Sequence, residues 1–570
     1  MEPSTSPKDN VYLASTMTLL RSLILLLASC VCAQMDAQEH ADYFAHHQFT
    51  RADTLRGGLR PERTGFDVTY YELHLEVDPN DRKIEGRVDM YYRIVHPTKR
   101  LQIDLFSNLT IDSIKQGGRR LRFVRDGNAV FVNLPGNPPQ NSLHTMSIWY
   151  GGKPVAAKNA PWDGGFVWSL DHRDRTWVGV ACEGTGASLW WPNKDHLSDE
   201  PDSMLVSVNV PKRLFVASNG NLREEIELDN GYQKRYDWFV SYPINNYNIS
   251  LGIGSYIHFD STYLAFDGEV LALDYYVLDY NEDKARKQFQ QVNQMLAAYE
   301  HYFGKYPFWN DGYALIETPY LGMEHQSGIA YGNKFMRGYL GGLIPSDMDW
   351  DYIIIHETGH EYFGNSISVA DHGEMWVHES FTTYMEALYV EYRYGEQDAQ
   401  RYLGTQRRFI QNRSPILGPL GVNFDNFGGS DHYYKGAWVL HTLRYSLNDD
   451  ALFFSMLRSF YQDNERSIVS TQQVIDYFSR YAKKDLNPFF DQYLRHPDVP
   501  VLEVRKSGKQ VEYRWRAQAK GFNMPVGILI GKEPVRLQPT DKWQVMGKGF
   551  RSADVSIDKS RFLVDLEVVE

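Results

Sequence analysis

Two histidines four residues apart, with a glutamate beside the first, are the residues in this chain best suited to chemistry. They are His356, Glu357 and His360, in the run H-E-T-G-H. On a helix, side chains four apart project from nearly the same face, so both imidazoles can reach one ion. Glu357 points to the side, where it can touch a water at that ion but not readily the ion itself. A catalytic zinc usually takes three protein ligands and keeps one position open. The next candidate ligand is Glu379, separated from His360 by the 18 residues 361 to 378. A buried helix with two chance histidines would also show H-E-x-x-H. The third carboxylate at a workable distance argues against chance. One Zn2+ per chain, held by His356, His360 and Glu379, is the expectation.

Such a site needs two helices. The gap suits a loop followed by a second helix returning to the first. Residues 374 to 394 read as that helix, because Trp376, Glu379, Thr383, Glu386 and Val390 recur at three- and four-residue steps and Gly395 is a fitting stop. Glu386 lies seven residues after Glu379 on the same face. It either orients a metal ligand from behind or is a plain structural acid.

These residues carry a family resemblance. H-E-x-x-H, eighteen residues, then E, within W-V-H-E-S-F-T, resembles the aminopeptidase N family of zinc metallopeptidases, within the gluzincins. Leu321-Gly322-Met323-Glu324-His325 is similar to the family's G-x-M-E-N, with Glu324 sitting 32 positions before His356. The resemblance implies an edge strand, Gly322 and Met323, offering backbone groups to an extended peptide. It also implies that Glu324 holds the peptide's cationic N-terminus by a charge-assisted hydrogen bond. Two departures stand out: Gly322 fills the family's alanine slot, and His325 replaces its asparagine. His325 is either a contact to the substrate or a structural residue beside the cleft. Tyr320, just upstream, is a candidate wall for the first side chain.

Cys182-Glu183, followed by glycine and an aromatic-proline run, resembles a family segment whose acid or amide contacts the free amino group. That implies the role for Glu183; the alternative is a surface loop acid. Tyr433-Tyr434-Lys435-Gly436 is similar to the family's Y-x-K-G, whose tyrosine hydroxyl faces the reacting oxygen. Tyr433 takes that place, with Tyr434 as the neighbour that could be confused with it. Together the resemblance implies an aminopeptidase acting on peptides with a free N-terminus, with Glu357 as base and Tyr433 as oxyanion donor. The rivals are a zinc endopeptidase of the thermolysin type, which lacks an N-terminus anchor, and a non-catalytic peptide-binding relative. The chain keeps both histidines, the base and the third ligand, which favours catalysis.

The rest of the chain must position these groups. At 570 residues it is too long for one core, so two to four domains are expected. Net charge is −13 with no long basic run, which excludes nucleic acid as a partner, since phosphate binding needs clustered Lys and Arg. Residues 17 to 34, MTLLRSLILLLASCVCAQ, read as a signal peptide, with an apolar core too short to span a membrane. Val31-Cys32-Ala33 fits simple cleavage, which is the expectation; Leu27-Ala28-Ser29-Cys30 also fits a lipid anchor at Cys30. The polar residues ahead of it leave Met17 as an alternative start. Of three cysteines, cleavage would leave only Cys182, so no internal disulfide could form. Export without disulfides suits a bacterial periplasm or cell surface, or secretion by a bacterium.

Residues about 40 to 65 read as an irregular lead-in. From Tyr70, Tyr71, Leu73, Leu75 and Val77 alternate with polar residues, turn at Asp78-Pro79-Asn80-Asp81, and resume with Ile84, Val88, Met90, Tyr92 and Ile94. That is an antiparallel hairpin with one buried face. The expected fold is multidomain α+β. Residues 1–33 form the signal region and 34–257 an all-β domain, which the resemblance implies is a saddle-shaped sheet. Residues 258–497 form a thermolysin-like, mainly helical catalytic domain, and 498–570 a small C-terminal β-sandwich. Within the catalytic part, residues 282 to 303 show an amphipathic helical pattern.

Overall fold

Period-two alternation builds the first half of the molecule. Strand Phe66–Asp78 pairs antiparallel with Lys83–Ile94, placing Tyr71 opposite Met90, Leu73 opposite Val88 and Val77 opposite Ile84. All six side chains are buried. The same strand pairs in parallel with Ser203–Pro211 on its other side, Leu73 opposite Val206. These strands lie at the centre of an eight-stranded sheet. A four-stranded sheet of Gly165–Leu170, Thr176–Ala181, Phe215–Ser218 and Leu251–Gly254 follows.

The computed structural model describes residues 43–570 apart from Asn230, Asn426 and Glu570. The expected signal peptide, with Met17, Cys30, Cys32 and Ala33, lies outside the described residues. The chain divides into two units, residues 1–50 and residues 51–570, and the site lies wholly within the second. Among the described residues, no helix is long and apolar enough to cross a membrane.

Part of the expected irregular lead-in is helical: Arg51–Gly57 and Pro61–Thr64. Neither has a strong propensity signal; tertiary contacts hold them. Arg63 is buried and pairs with Asp104 at 2.7 Å, and Arg56 donates to the carbonyl of Gly184.

Sheet membership changes between Leu251–Gly254 and Tyr256–Leu264. The latter opens a five-stranded mixed sheet, ordered Tyr256–Leu264, Val270–Leu278, Tyr313–Glu317, Gly328–Tyr331, Gly322–Met323. Gly322–Met323 is therefore an edge strand. The helical pattern over 282 to 303 is two helices, Glu282–Gln288 and Gln291–Tyr302. The break falls where Phe289 turns its ring into a cage of Tyr275, Tyr331 and Phe335. It also lets two glutamines meet one acid: Gln288 Nε2 donates to Asp351 Oδ2 at 2.7 Å, and Gln291 Oε1 accepts from Asp351 N at 2.7 Å.

Helices dominate from Tyr352 to Arg495. The last stretch returns to strands, as a four-stranded sheet containing Val501–Ser507 and Gln510–Arg516 and a three-stranded sheet around Val526–Ile530.

Candidate active site

Asp351 starts the helix that carries the two histidines, Tyr352–Tyr362. Its carboxylate accepts from Ile353 N at 3.0 Å, from Tyr331 Oη at 2.7 Å and from Asn333 Nδ2 at 2.8 Å. Such a cap satisfies the otherwise orphaned first amides, a contribution of about 1 kcal/mol. The helix is buried along its whole length.

Each histidine turns one nitrogen to the protein and the other inward. His356 Nδ1 donates to Glu386 Oε1 at 2.6 Å, and His360 Nδ1 donates to the Phe363 carbonyl at 3.0 Å. Glu386 is itself held by Tyr402 Oη at 2.5 Å and Gln406 Nε2 at 2.7 Å. In the neutral tautomer that these bonds favour, each Nε2 lone pair is free for a metal, and the two Nε2 atoms face each other at 3.2 Å.

The third group arrives on helix Trp376–Tyr394, ended by Gly395 at φ 99°. Glu379 lies in its first turn, where the helix dipole favours a carboxylate. Its Oε2 is 3.3 Å from His360 Nε2 and 3.7 Å from His356 Nε2. Ligand atoms about 2 Å from a tetrahedral zinc sit about 3.3 Å apart. The triangle of 3.2, 3.3 and 3.7 Å fits that geometry. Glu379 Oε2 is buried and makes no hydrogen bond of good geometry; the two histidine nitrogens are the groups that face it. Burial would raise this carboxyl, but His360 and His356 hold it well below the usual range. The donor set, two imidazoles and a carboxylate, suits Zn2+.

The loop before the third ligand is pinned from far along the chain. Strand Ile367–Val369 pairs in parallel with Ser467–Val469, and Val369 N donates to His378 Nε2 at 3.2 Å. Trp376 Nε1 donates to Thr471 Oγ1 at 2.9 Å, while Thr471 N donates to Glu374 Oε1 at 2.7 Å.

Beside the triangle, acids gather. Glu324, Glu357 and His360 each place one atom within 4.8 Å of the others. Burial pushes Glu357 up to about 8, the neighbouring histidines opposing and Glu324 adding to the rise. Glu183 belongs to the same group. Burial first, then the charges of Glu324, Glu379 and Glu357, push its carboxyl well above the usual range. Its Oε1 is buried without a hydrogen-bond partner, while the residue as a whole is half-buried. Glu324 is also raised, chiefly by burial, and Tyr247 Oη donates to its Oε1 at 3.1 Å.

Gly322 explains how the edge strand comes so near the base. A Cβ there would stand 2.7 Å from Glu357 Oε1 and 2.7 Å from Ile353 Cγ2. Successive strand residues face opposite sides, so Gly322 looks toward the histidine helix and Met323 away from it. His325 is buried, and both its ring nitrogens lack partners. Burial alone pushes it down to about 3, with no acid of the cluster contributing. Tyr320 packs against Gly179, and its hydroxyl donates to the Val180 carbonyl at 3.0 Å.

The two tyrosines of Y-Y-K-G separate. The Tyr433 ring stacks near His356, centroids 6.1 Å apart, and burial and then the charges of Glu379 and Glu183 raise its phenol. The Tyr434 ring lies instead against Phe409 at 5.3 Å. Lys435 is buried, donating to the carbonyls of His496 and Pro497 at 3.0 and 2.7 Å. Gly436 lets helix Tyr434–Leu447 lie against the helix of Glu379, since a Cβ there would fall 1.6 Å from Ser380 Oγ.

Three contributors were missed in the sequence. Tyr402 and Gln406 stand four apart on helix Glu396–Arg407, a spacing that could have flagged a shared partner. Tyr247 gave no signal, being one of 38 tyrosines and lying outside every motif.

Comparison with known proteins agrees with this geometry. Residues 287–493 match the Peptidase family M1 domain. Human aminopeptidase B is 27% identical over 269 residues, covering 41% of this chain and 40% of that protein. The leucyl aminopeptidase of Saccharolobus solfataricus is 21% identical over 422 residues, covering 71% of this chain and 50% of that protein. The matched stretches thus span half or less of these relatives' own lengths. In fold, the M1 zinc metallopeptidase from Deinococcus radiodurans superposes with a TM-score of 0.65 at 22% identity, over 78% of this chain and 95% of that one. The chain is thus similar to the Peptidase family M1 domain over residues 287–493, and its fold is similar to that of an M1 zinc metallopeptidase.

Proposed function

We propose that the protein is a zinc-dependent aminopeptidase that removes the first residue of peptides, with one zinc per chain. The observation carrying this reading is the juxtaposition of the His356–His360–Glu379 triangle with two further acids, the buried Glu324 and the partly buried Glu183, beside an edge strand. Bound zinc supplies Lewis acidity and a water whose pKa falls to about 7.

The chain's own groups do the rest. Backbone amide and carbonyl groups along Gly322–Met323 hold the peptide as an added strand. Glu324 and Glu183 take the ammonium between them. Two like charges crowded in a buried place are relieved by a cation, so a free N-terminus is selected over an acylated one. With the ammonium so held, the first peptide bond falls between Glu357 and Tyr433. Glu357 takes the proton of the attacking water and passes it to the leaving amine. Tyr433 donates a hydrogen bond to the oxygen that becomes negative. The leader at residues 17 to 34 supports an exported enzyme.

An aminoacyl-arylamide and its N-acetylated form test the reading. Cleavage of the free amine alone, abolished by chelator and by Glu357→Gln, is the expected result. Equal rates on both substrates would remove Glu324 and Glu183 from their assigned place and point to an endopeptidase.

A further inference from the structure

Glu324 is gripped by its backbone as well as by its side chain. Asn365 Nδ2 donates to the Glu324 carbonyl at 2.6 Å. Asn365 lies three residues past the end of the histidine helix, and its amide is oriented from behind, because Asn248 Nδ2 donates to its Oδ1 at 2.7 Å. A second bond joins the same two segments: Ser327 N donates to Glu361 Oε1 at 2.8 Å, from the residue after His360. The turn between is held from the other side by Asn219 Nδ2, which donates to the carbonyls of Gln326 at 2.7 Å and Asn248 at 2.9 Å. Asn219, Asn248, Glu361 and Asn365 are all buried.

This network couples two things that catalysis needs at a fixed separation. One is the helix bearing His356, Glu357 and His360. The other is the acid that sets where the substrate's first atom lies. Edge strand Gly322–Met323 is two residues long and pairs only with Gly328–Tyr331. Its ladder is too short to fix the place of Glu324, which lies beyond its last paired residue. A misplacement of about 1 Å in bound geometry can cost about a hundredfold in rate.

The geometry points to Asn365 as a positioning residue that sets the distance from the ammonium-holding acid to the metal ligands and base, with Asn248 orienting it. It touches no reacting atom and acts through the Glu324 backbone. The inference rests on the aminopeptidase reading above and names the part of the fold that makes the enzyme measure from the substrate's N-terminus.

Asn365→Asp tests it: the side chain keeps its size but loses the donor to the Glu324 carbonyl. The readouts are zinc content, melting temperature and the ratio of kcat/KM on the free-amine arylamide to that on its N-acetylated form. Glu324→Gln is run in parallel. The expected result for Asn365→Asp is a folded, zinc-loaded protein. Its KM for the free amine should rise at least tenfold, more than kcat falls, with a tenfold or greater drop in the selectivity ratio. Asn248→Ala, two contacts away from the acid, should shift the ratio in the same direction by about threefold, and it decides the matter should Asn365→Asp fail to fold. A selectivity ratio unchanged in whichever of these variants folds overturns the inference. Wild-type protein without selectivity overturns the aminopeptidase reading itself. Selectivity lost in Glu324→Gln but kept in the asparagine variants overturns only the positioning role.

Discussion

His356 and Glu386 meet at 2.6 Å, Nδ1 to Oε1, so one metal-facing imidazole is braced by an acid on the very helix that brings in the third ligand. Such a carboxylate raises the basicity of the ring and fixes its orientation. Glu386→Gln, which keeps the shape but not the charge, should weaken zinc binding about 10- to 100-fold. Competition against a chelator measures it. Wild-type affinity in the variant would make Glu386 only a structural acid.

Gly436 sets how closely the third-ligand helix is approached. A methyl group there would stand 1.6 Å from Ser380 Oγ and 2.5 Å from Ser380 Cβ. Gly436→Ala should lower stability by about 1–3 kcal/mol, the usual result of overpacking. Removing the opposing side chain in Gly436→Ala/Ser380→Gly should recover most of that loss. Thermal melts of the three proteins decide it, and an undisturbed Gly436→Ala melt would refute the close packing.

Tyr433→Phe should lower kcat about 100- to 1,000-fold, the typical effect of losing an oxyanion donor, while zinc content holds. Tyr434→Phe should stay near wild type, because its ring packs against Phe409. Steady-state kinetics on an aminoacyl-arylamide separates the two, and the reverse ranking would exchange their assignments.

His441 gives a pH signature away from the metal. It is buried, its Nε2 donates to the Ser560 carbonyl at 3.0 Å, and burial pushes its pKa down to about 3. The folded pKa lies below the unfolded one, about 6.5. The ring's contribution is therefore present above pH 6.5 and is lost as pH falls toward 3. From pH 7 to pH 5 the wild type should lose about 2 kcal/mol relative to His441→Gln. Denaturant midpoints for both proteins at the two values measure this. A pH-independent gap would mean that the folded ring titrates normally.

The parts of the site readable from sequence are those set by local geometry. His356, Glu357 and His360 share one helical turn, and Trp376 to Gly395 shows a regular apolar step and a glycine stop. The hairpin around Pro79 was legible for the same reason. What stayed hidden depends on contacts between distant segments. The helices Arg51–Gly57 and Pro61–Thr64 carry no strong propensity signal, and Arg56 and Arg63 tie them to Gly184 and Asp104. The break at Phe289 defies an unbroken amphipathic pattern because two glutamines converge on Asp351. Tyr247 and Asn365 reach Glu324 from opposite directions in sequence, which no spacing rule encodes.

The parallel pairing of Ile367–Val369 with Ser467–Val469 also bears on when the metal can be taken up. A chain leaving the ribosome presents His356, His360 and Glu379 long before the strand that pins the loop between them has been made. Thr471, which anchors Trp376 and Glu374 ahead of the third ligand, comes later still. A nascent chain halted before Ser467 should therefore bind the ion far more weakly than the finished protein.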